Sequence, residues 1–175
     1  MSRESLQGNL AGRPDLSAFF GQLSPQRNAQ LLDRLLAVDS RLLRLAQQAS
    51  LHVGVPYRLI GLTLVSRTDG TSAGIHGGPS GDAGDIWFDI SHVPSSVGAS
   101  DAPRWVVESS IFVFCLDRPE PPGGSNTHEI LCLSEEASTP EAALDVLDSH
   151  VGIIEKDLKR YPPTRFTSTL HDELP

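Results

Sequence analysis

Cysteine and long apolar runs are both scarce in this sequence. Its 175 residues include two cysteines, which are too few for a disulfide framework or for a zinc site built from four cysteines. No apolar run approaches the ~20 residues that a membrane-spanning helix needs. Residues 1–17 also lack the apolar segment of a secretory signal. We therefore expect a reducing, bacterial-type cytoplasm and no contact with a membrane.

Positive charge is also in short supply. The chain has 14 Lys and Arg against 22 Asp and Glu, a net charge of -8, and the excess of acid lies in residues 68–175. This balance disfavours nucleic-acid binding and favours a basic protein partner. With 39% hydrophobic and 21% charged residues, the composition is that of a soluble globular protein, and the length indicates one domain.

Signals of cofactor or metal chemistry are missing as well. The glycine-rich segment 69–84 contains neither Lys nor Arg, so it does not match a phosphate-binding loop. Each of the six histidines is expected to be a surface residue rather than a general base. Cys115 lies in an apolar strand, which disfavours the reactive thiolate. The sequence predicts no cofactor and no metal site.

Hydrophobic periodicity predicts an α+β fold. Repeats of three and four residues indicate a long helix over 26–49 and a second helix from Thr139-Pro140 to near Arg160, and Asp15 could cap a short helix over 16–23. Alternation indicates strands over 58–66, 85–92, 105–117 and 128–135, with 69–84 as a flexible connection. The prediction is a four-stranded antiparallel sheet, in the order α-β-β-β-β-α, with the helices on one face. Residues 15–161 would form the domain, between polar tails 1–14 and 162–175.

The long helix carries two apolar stripes. The first faces the core, and its members are Leu31, Leu35, Val38, Leu42, Leu45 and Ala49. The second consists of Leu32, Leu36 and Leu43. It either widens the face that packs on the core or packs on another subunit.

The connections between strands suggest two registers. Symmetric pairing about residue 98 would place Asp89 opposite Glu108. Symmetric pairing about Gly123-Gly124 would place Cys115 opposite Cys132, as two reduced thiols, and Phe114 opposite Leu133. One face would then be apolar and meet the helices, and it would include Ile86, Phe88, Ile90, Val107, Ile111, Val113, Ile130 and Cys132.

The opposite face of the predicted sheet carries the candidate site residues. Its acidic end holds Asp85, Trp87, Asp89 and Glu108, and its apolar end holds Phe112, Phe114 and Leu133. A solvent-facing sheet surface is normally polar, so the apolar end implies a cover: a helix, a second subunit or a partner protein.

Two functions fit this surface. The first is a non-enzymatic, acidic interaction domain that binds a protein partner, either a basic protein or a second copy in a homodimer; an immunity-type or chaperone-type role is an analogy only. The alternative is a small-molecule enzyme that uses the carboxylates of Asp89 and Glu108 beside Trp87, since two close carboxylates separate their pKa values for acid–base work.

Overall fold

A five-stranded antiparallel sheet carries helices on one face. The computed structural model describes residues 15–66, 73–93, 104–114 and 127–161, so the predicted tails lie outside the described residues. The elements in this part of the chain are α1 (Ser17–Phe20), α2 (Pro25–Val53), β1 (Tyr57–Ser66), β2 (Ala73–Gly81), β3 (Gly84–Val93), β4 (Arg104–Phe114), β5 (Thr127–Ala137) and α3 (Pro140–Asp157). The strands form a meander in the order β1-β2-β3-β4-β5, which confirms the predicted class with one strand more than expected.

Helix α2 begins and ends at residues that favour those positions. The Ser24 side chain accepts a hydrogen bond from the Arg27 amide, and Pro25 occupies the first turn. Gly54 ends the helix with φ +83°, a left-handed conformation that glycine adopts without strain. All six residues of the first predicted stripe are buried. In the second stripe Leu32 is buried, whereas Leu36 and Leu43 are 42% and 43% exposed.

The glycine-rich segment is where the four-strand prediction is wrong. Residues 73–81 form β2 between β1 and β3 instead of a flexible connection. A Cβ on Gly77 would lie 2.7 Å from the Ile60 carbonyl oxygen, and one on Gly78 would lie 2.0 Å from that of Ile86. Glycine therefore lets both neighbouring strands approach β2 closely. Sequence propensity opposes a strand here, and the close pairing overrides it.

The pairing of β3 with β4 has the predicted register. Asp89 lies opposite Glu108, and Ile90 lies opposite Val107. The six apolar residues predicted for the helix-facing side of these two strands are buried: Ile86, Phe88, Ile90, Val107, Ile111 and Val113.

The predicted register of β4 with β5 is wrong. Cys132 lies opposite Ser110, and Ser109 lies opposite Leu133. Cys115 itself lies outside the described residues. Its predicted partner, Cys132, pairs instead with Ser110, five residues before Cys115 in the sequence. The observed register moves Cys132 to the face away from the helices, where it is exposed. Leu133 moves to the face that packs against the core, because side chains alternate between the two faces of a strand.

Ion pairs link α2 to α3. Arg27 makes two hydrogen bonds with Glu141, at 2.6 and 2.7 Å. About two helical turns further, Arg34 contacts Asp145 at 2.5 Å. Arg41 contacts Asp148 and, at 2.7 Å, Glu155. The three arginines are seven residues apart, so they lie on one side of α2. We call these three arginines and their four acidic partners the arginine ladder.

A polar chain crosses the core beneath α3. His150 is fully buried, which contradicts the expectation of a surface residue. Its Nδ1 lies 3.0 Å from Ser109 Oγ, and its Nε2 lies 3.3 Å from Glu135 Oε1. An ionised carboxylate can only accept, so we infer that Nε2–H donates to Glu135 and that the Ser109 hydroxyl donates to Nδ1. The arrangement satisfies both nitrogens of a histidine that would otherwise be costly to bury.

The arginine ladder predicts a pH-dependent contribution to stability. The hydrogen bond from Arg27 lowers the pKa of Glu141. The ionised pair therefore stabilises the fold fully above the ordinary glutamate pKa of about 4.3, and the contribution is lost as the pH falls through the lower pKa of the folded state. Glu141→Gln should lower the free energy of unfolding by ~0.5–1 kcal/mol at neutral pH.

Urea unfolding at several pH values measures this difference. The difference in free energy of unfolding between the wild type and Glu141→Gln should shrink toward zero in acid. Glu129→Gln is the control, because Glu129 is exposed and makes no ion pair with the described residues. A Glu141→Gln deficit that does not change between neutral and acidic pH would contradict the assignment.

The buried polar chain predicts coupling between β4 and α3. Ser109→Ala removes the donor to His150 Nδ1 and should cost ~1–3 kcal/mol of stability. A double-mutant cycle with His150→Leu should give a coupling energy of ~0.5 kcal/mol or more. Ser110→Ala, one residue further along β4 on the other face, is the matched control. Additive effects of the two substitutions would rule out the hydrogen bond.

Candidate functional site

The candidate site lies on the sheet face away from α2 and α3, which we call the open face. Alternate residues of β3 bring Asp85, Trp87 and Asp89 to this face because side chains repeat every two residues. In β4, Phe112 lies opposite Asp85, and Glu108 lies opposite Asp89. The structure thus brings together the acidic end and one aromatic residue of the predicted apolar end.

The predicted apolar end is only partly retained. Phe112 and Phe114 are half-buried on β4, and neither belongs to the apolar residues that pack against the core. Leu133 does pack against the core, on the other face of the sheet, and is removed from the site. Cys132 occupies the open face of β5 opposite Ser110, so β5 adds less apolar surface than predicted.

Polar contacts fix the Asp89 carboxylate. The Ser91 hydroxyl donates a hydrogen bond to Asp89 Oδ2. His76 Nδ1 lies 3.9 Å from Asp89 Oδ1, which is an ion-pair distance when the imidazole is protonated. Asp89 is half-buried, whereas the opposing Glu108 is exposed and accepts a 3.4 Å hydrogen bond from Ser134. The two opposed carboxylates therefore sit in different environments.

Trp87 forms the aromatic centre of the open face. Its ring is half-buried, and its centroid lies 5.2 Å from that of His76 with an interplanar angle of 32°. Two residues further along β2, Gly78 has no side chain to cover the indole. One face of the indole is thus partly covered by an imidazole, and the remaining exposed surface can make contact with a ligand.

Two buried polar atoms lie near each other at this end of the sheet, one from Asp85 on the open face and one from the core residue Tyr57. Asp85 Oδ1 and the Tyr57 hydroxyl are buried and have no hydrogen-bond partner among the described residues. Burial, and then the negative charge of Asp85, raise the pKa of Tyr57, so the phenol is un-ionised at neutral pH. A buried carboxylate oxygen without a hydrogen-bond partner is costly.

Sequence reasoning missed His76 and Ser91. His76 was expected in a solvated loop, because the glycine-rich segment was not recognised as a strand. The alternation of Gly74, His76, Gly78 and Ser80 with apolar Ile75 is the signal that could have placed it on β2. The same stretch begins with Gly70-Thr71-Ser72-Ala73-Gly74, a G-x-S-x-G pattern.

That pattern does not have the context of a catalytic serine. A nucleophile elbow joins a strand to a helix, whereas this segment joins the antiparallel strands β1 and β2. Ser72 itself lies outside the described residues. Within the described part of the chain, no group of three or more His, Cys, Asp or Glu side chains is arranged to hold a metal ion.

Comparisons with known proteins give no further guide. No protein-family model, curated protein or solved structure matches this chain. None of the described helices has both the length and the apolar character needed to cross a bilayer.

The positions of the two tryptophans predict losses of stability of different size. Trp105 is 4% exposed in the core, so Trp105→Ala should cost ~3–5 kcal/mol. Trp87→Ala should cost much less, because its ring lies on the open face. Thermal unfolding of both variants makes the comparison. If Trp87→Ala is as destabilising as Trp105→Ala, Trp87 is a core residue and the site assignment is wrong.

Proposed function

We propose that this chain is an interaction domain that binds a partner protein of basic character through its open face. The observation that carries the proposal is the composition of that face. Partly exposed aromatic rings, Trp87 and Phe112, lie among the carboxylates of Asp85, Asp89 and Glu108. Aromatic rings supply contact area and attract cations, and carboxylates attract basic side chains.

The electrostatics support a cationic contact. Arg104, at one end of the open face, is already paired with Glu136 at 3.0 Å, so it does not neutralise the central carboxylates. Asp85 offers a buried oxygen that lacks a described partner, beside Phe112 on the neighbouring strand. A Lys or Arg side chain of the partner would pair with the half-buried Asp85 carboxylate and lie against aromatic surface at the same time. The negative charge of the whole chain would also steer such a partner toward it.

A displayed random-peptide library is a direct test because it presumes no partner. Peptides selected on the wild-type protein should be enriched in Lys and Arg. Trp87→Ala should weaken their binding by at least tenfold, about 1.4 kcal/mol. Asp89→Asn should mainly slow association, with a loss that diminishes as salt is added.

A matched control separates the open face from the rest of the surface. Leu51→Ala changes a side chain of α2 that is 86% exposed and should leave peptide binding unchanged. Selected peptides without a basic bias, or binding that survives Trp87→Ala, would overturn the proposal.

The alternative is a small-molecule enzyme. The observation that favours it is the direct opposition of Asp89 and Glu108 beside Trp87, with Asp89 held by Ser91 and near His76. In that case Glu108→Gln should abolish turnover while ligand binding survives, because the general acid or base is lost and the contact surface is kept. A protein-binding surface would instead show a slower association rate in this variant.

A further inference from the structure

A second surface lies on the side of α2 that faces away from α3. Leu36 follows Arg34 by two residues, and Leu43 follows Arg41 by two residues, a rotation of roughly 200° on a helix. The arginines point to α3 through the arginine ladder. The two half-exposed leucines therefore lie on the opposite side of the helix, which we call the outer flank.

The outer flank lies along an edge of the sheet. Strand β1 is an edge strand in the described sheet, and α2 packs on it: the buried Asp39 accepts a hydrogen bond from the Leu62 amide at a bulge in β1. Since α3 lies over the other half of the sheet, the outer flank overhangs the β1 edge. The exposed leucines of α2 and the edge strand β1 are thus neighbours.

The two edges of the sheet differ in how they are protected. Strand β5, at one edge, contains three glutamates: Glu129, Glu135 and Glu136. Strand β1, at the other, is ten residues long and contains one charged residue, Arg58. Charged side chains prevent edge strands from pairing with other chains. By this criterion β1 is the less protected of the two edges.

The charges on α2 indicate what associates there. Of the charged residues in this helix, Arg27, Arg34 and Arg41 pair with α3, and Asp39 binds β1. The remaining two, Asp33 and Arg44, are exposed and make no ion pair with the described residues. Asp33 precedes Leu36 by three residues and Arg44 follows Leu43 by one, so opposite charges stand at the two ends of the leucine pair.

We propose that the outer flank of α2 and the edge of β1 form a homodimer interface with a second copy of this chain. In a twofold arrangement the two α2 helices run antiparallel, and Leu36 of one copy meets Leu43 of the other. The same alignment brings Asp33 near Arg44 of the second copy at both ends of the contact. The surface is therefore complementary to itself, as a twofold interface requires. This interface is separate from the open face and does not depend on its function.

Sedimentation equilibrium of the full chain tests the interface. The wild type should be a dimer, and Leu36→Ser/Leu43→Ser should raise its dissociation constant at least tenfold. Leu51→Ser, at another exposed leucine of the same helix, should leave it unchanged. Both substituted leucines are half-exposed, and circular dichroism verifies that the variant is folded. A monomeric wild type would overturn the proposal. So would a dimer whose dissociation constant is unchanged by Leu36→Ser/Leu43→Ser.

Charge exchange tests the antiparallel alignment. Asp33→Arg alone and Arg44→Asp alone should each weaken the dimer, because each places like charges together at both ends. The double variant Asp33→Arg/Arg44→Asp restores opposite charges and should recover most of the wild-type affinity. Two weakening effects that simply add in the double variant would overturn the alignment.

Discussion

Two helices packed side by side cover one face of a five-stranded sheet. The rest of this structure depends on the fact that the described helices cover this face and not the other. Helix α2 packs on β1 and β2, and α3 packs on β4 and β5. The apolar residues of these strands meet the helices in one continuous core. The described helices leave the other face to its own side chains, which mix carboxylates with aromatic rings.

The arginine ladder explains how the two helices form one layer. Helices that sit on different halves of a sheet need a contact with each other, and here charged pairs provide much of it along one side of α2. The opposite side of α2, the outer flank, faces away from α3 and carries the half-exposed Leu36 and Leu43. The separation of charge and apolar residues on the two sides of one helix is thus a direct result of where α3 lies.

The sequence predicted what local pattern controls. The stripe from Leu31 to Ala49 and the start of the second helix at Thr139-Pro140 follow from local sequence pattern, and the structure confirms them. The opposition of Asp89 and Glu108 was predicted from symmetric pairing about residue 98, and the structure has this register. Strand β2 could not be predicted from propensity, because glycine is unfavourable in strands and only the close approach of β1 and β3 favours it here. His76 was missed with it.

The errors in β5 have a different origin. A long connection does not fix the register, and a bulge at Ile111 and Phe112 changes the offset within the strand pair. An odd shift of five residues exchanged the faces, so Leu133 moved to the core and Cys132 to the open face. His150 was misplaced because its partners Ser109 and Glu135 belong to strands that periodicity alone cannot bring beneath a helix.

The order of the strands also has a consequence for how the chain folds. Every strand of the described sheet pairs with its neighbour in sequence, so the sheet can grow hairpin by hairpin. The arginine ladder is different, since its partners are 107 to 114 residues apart. We expect these contacts to form after the folding barrier has been crossed, so that they slow unfolding more than they speed folding. The ladder would then act chiefly on the lifetime of the native state.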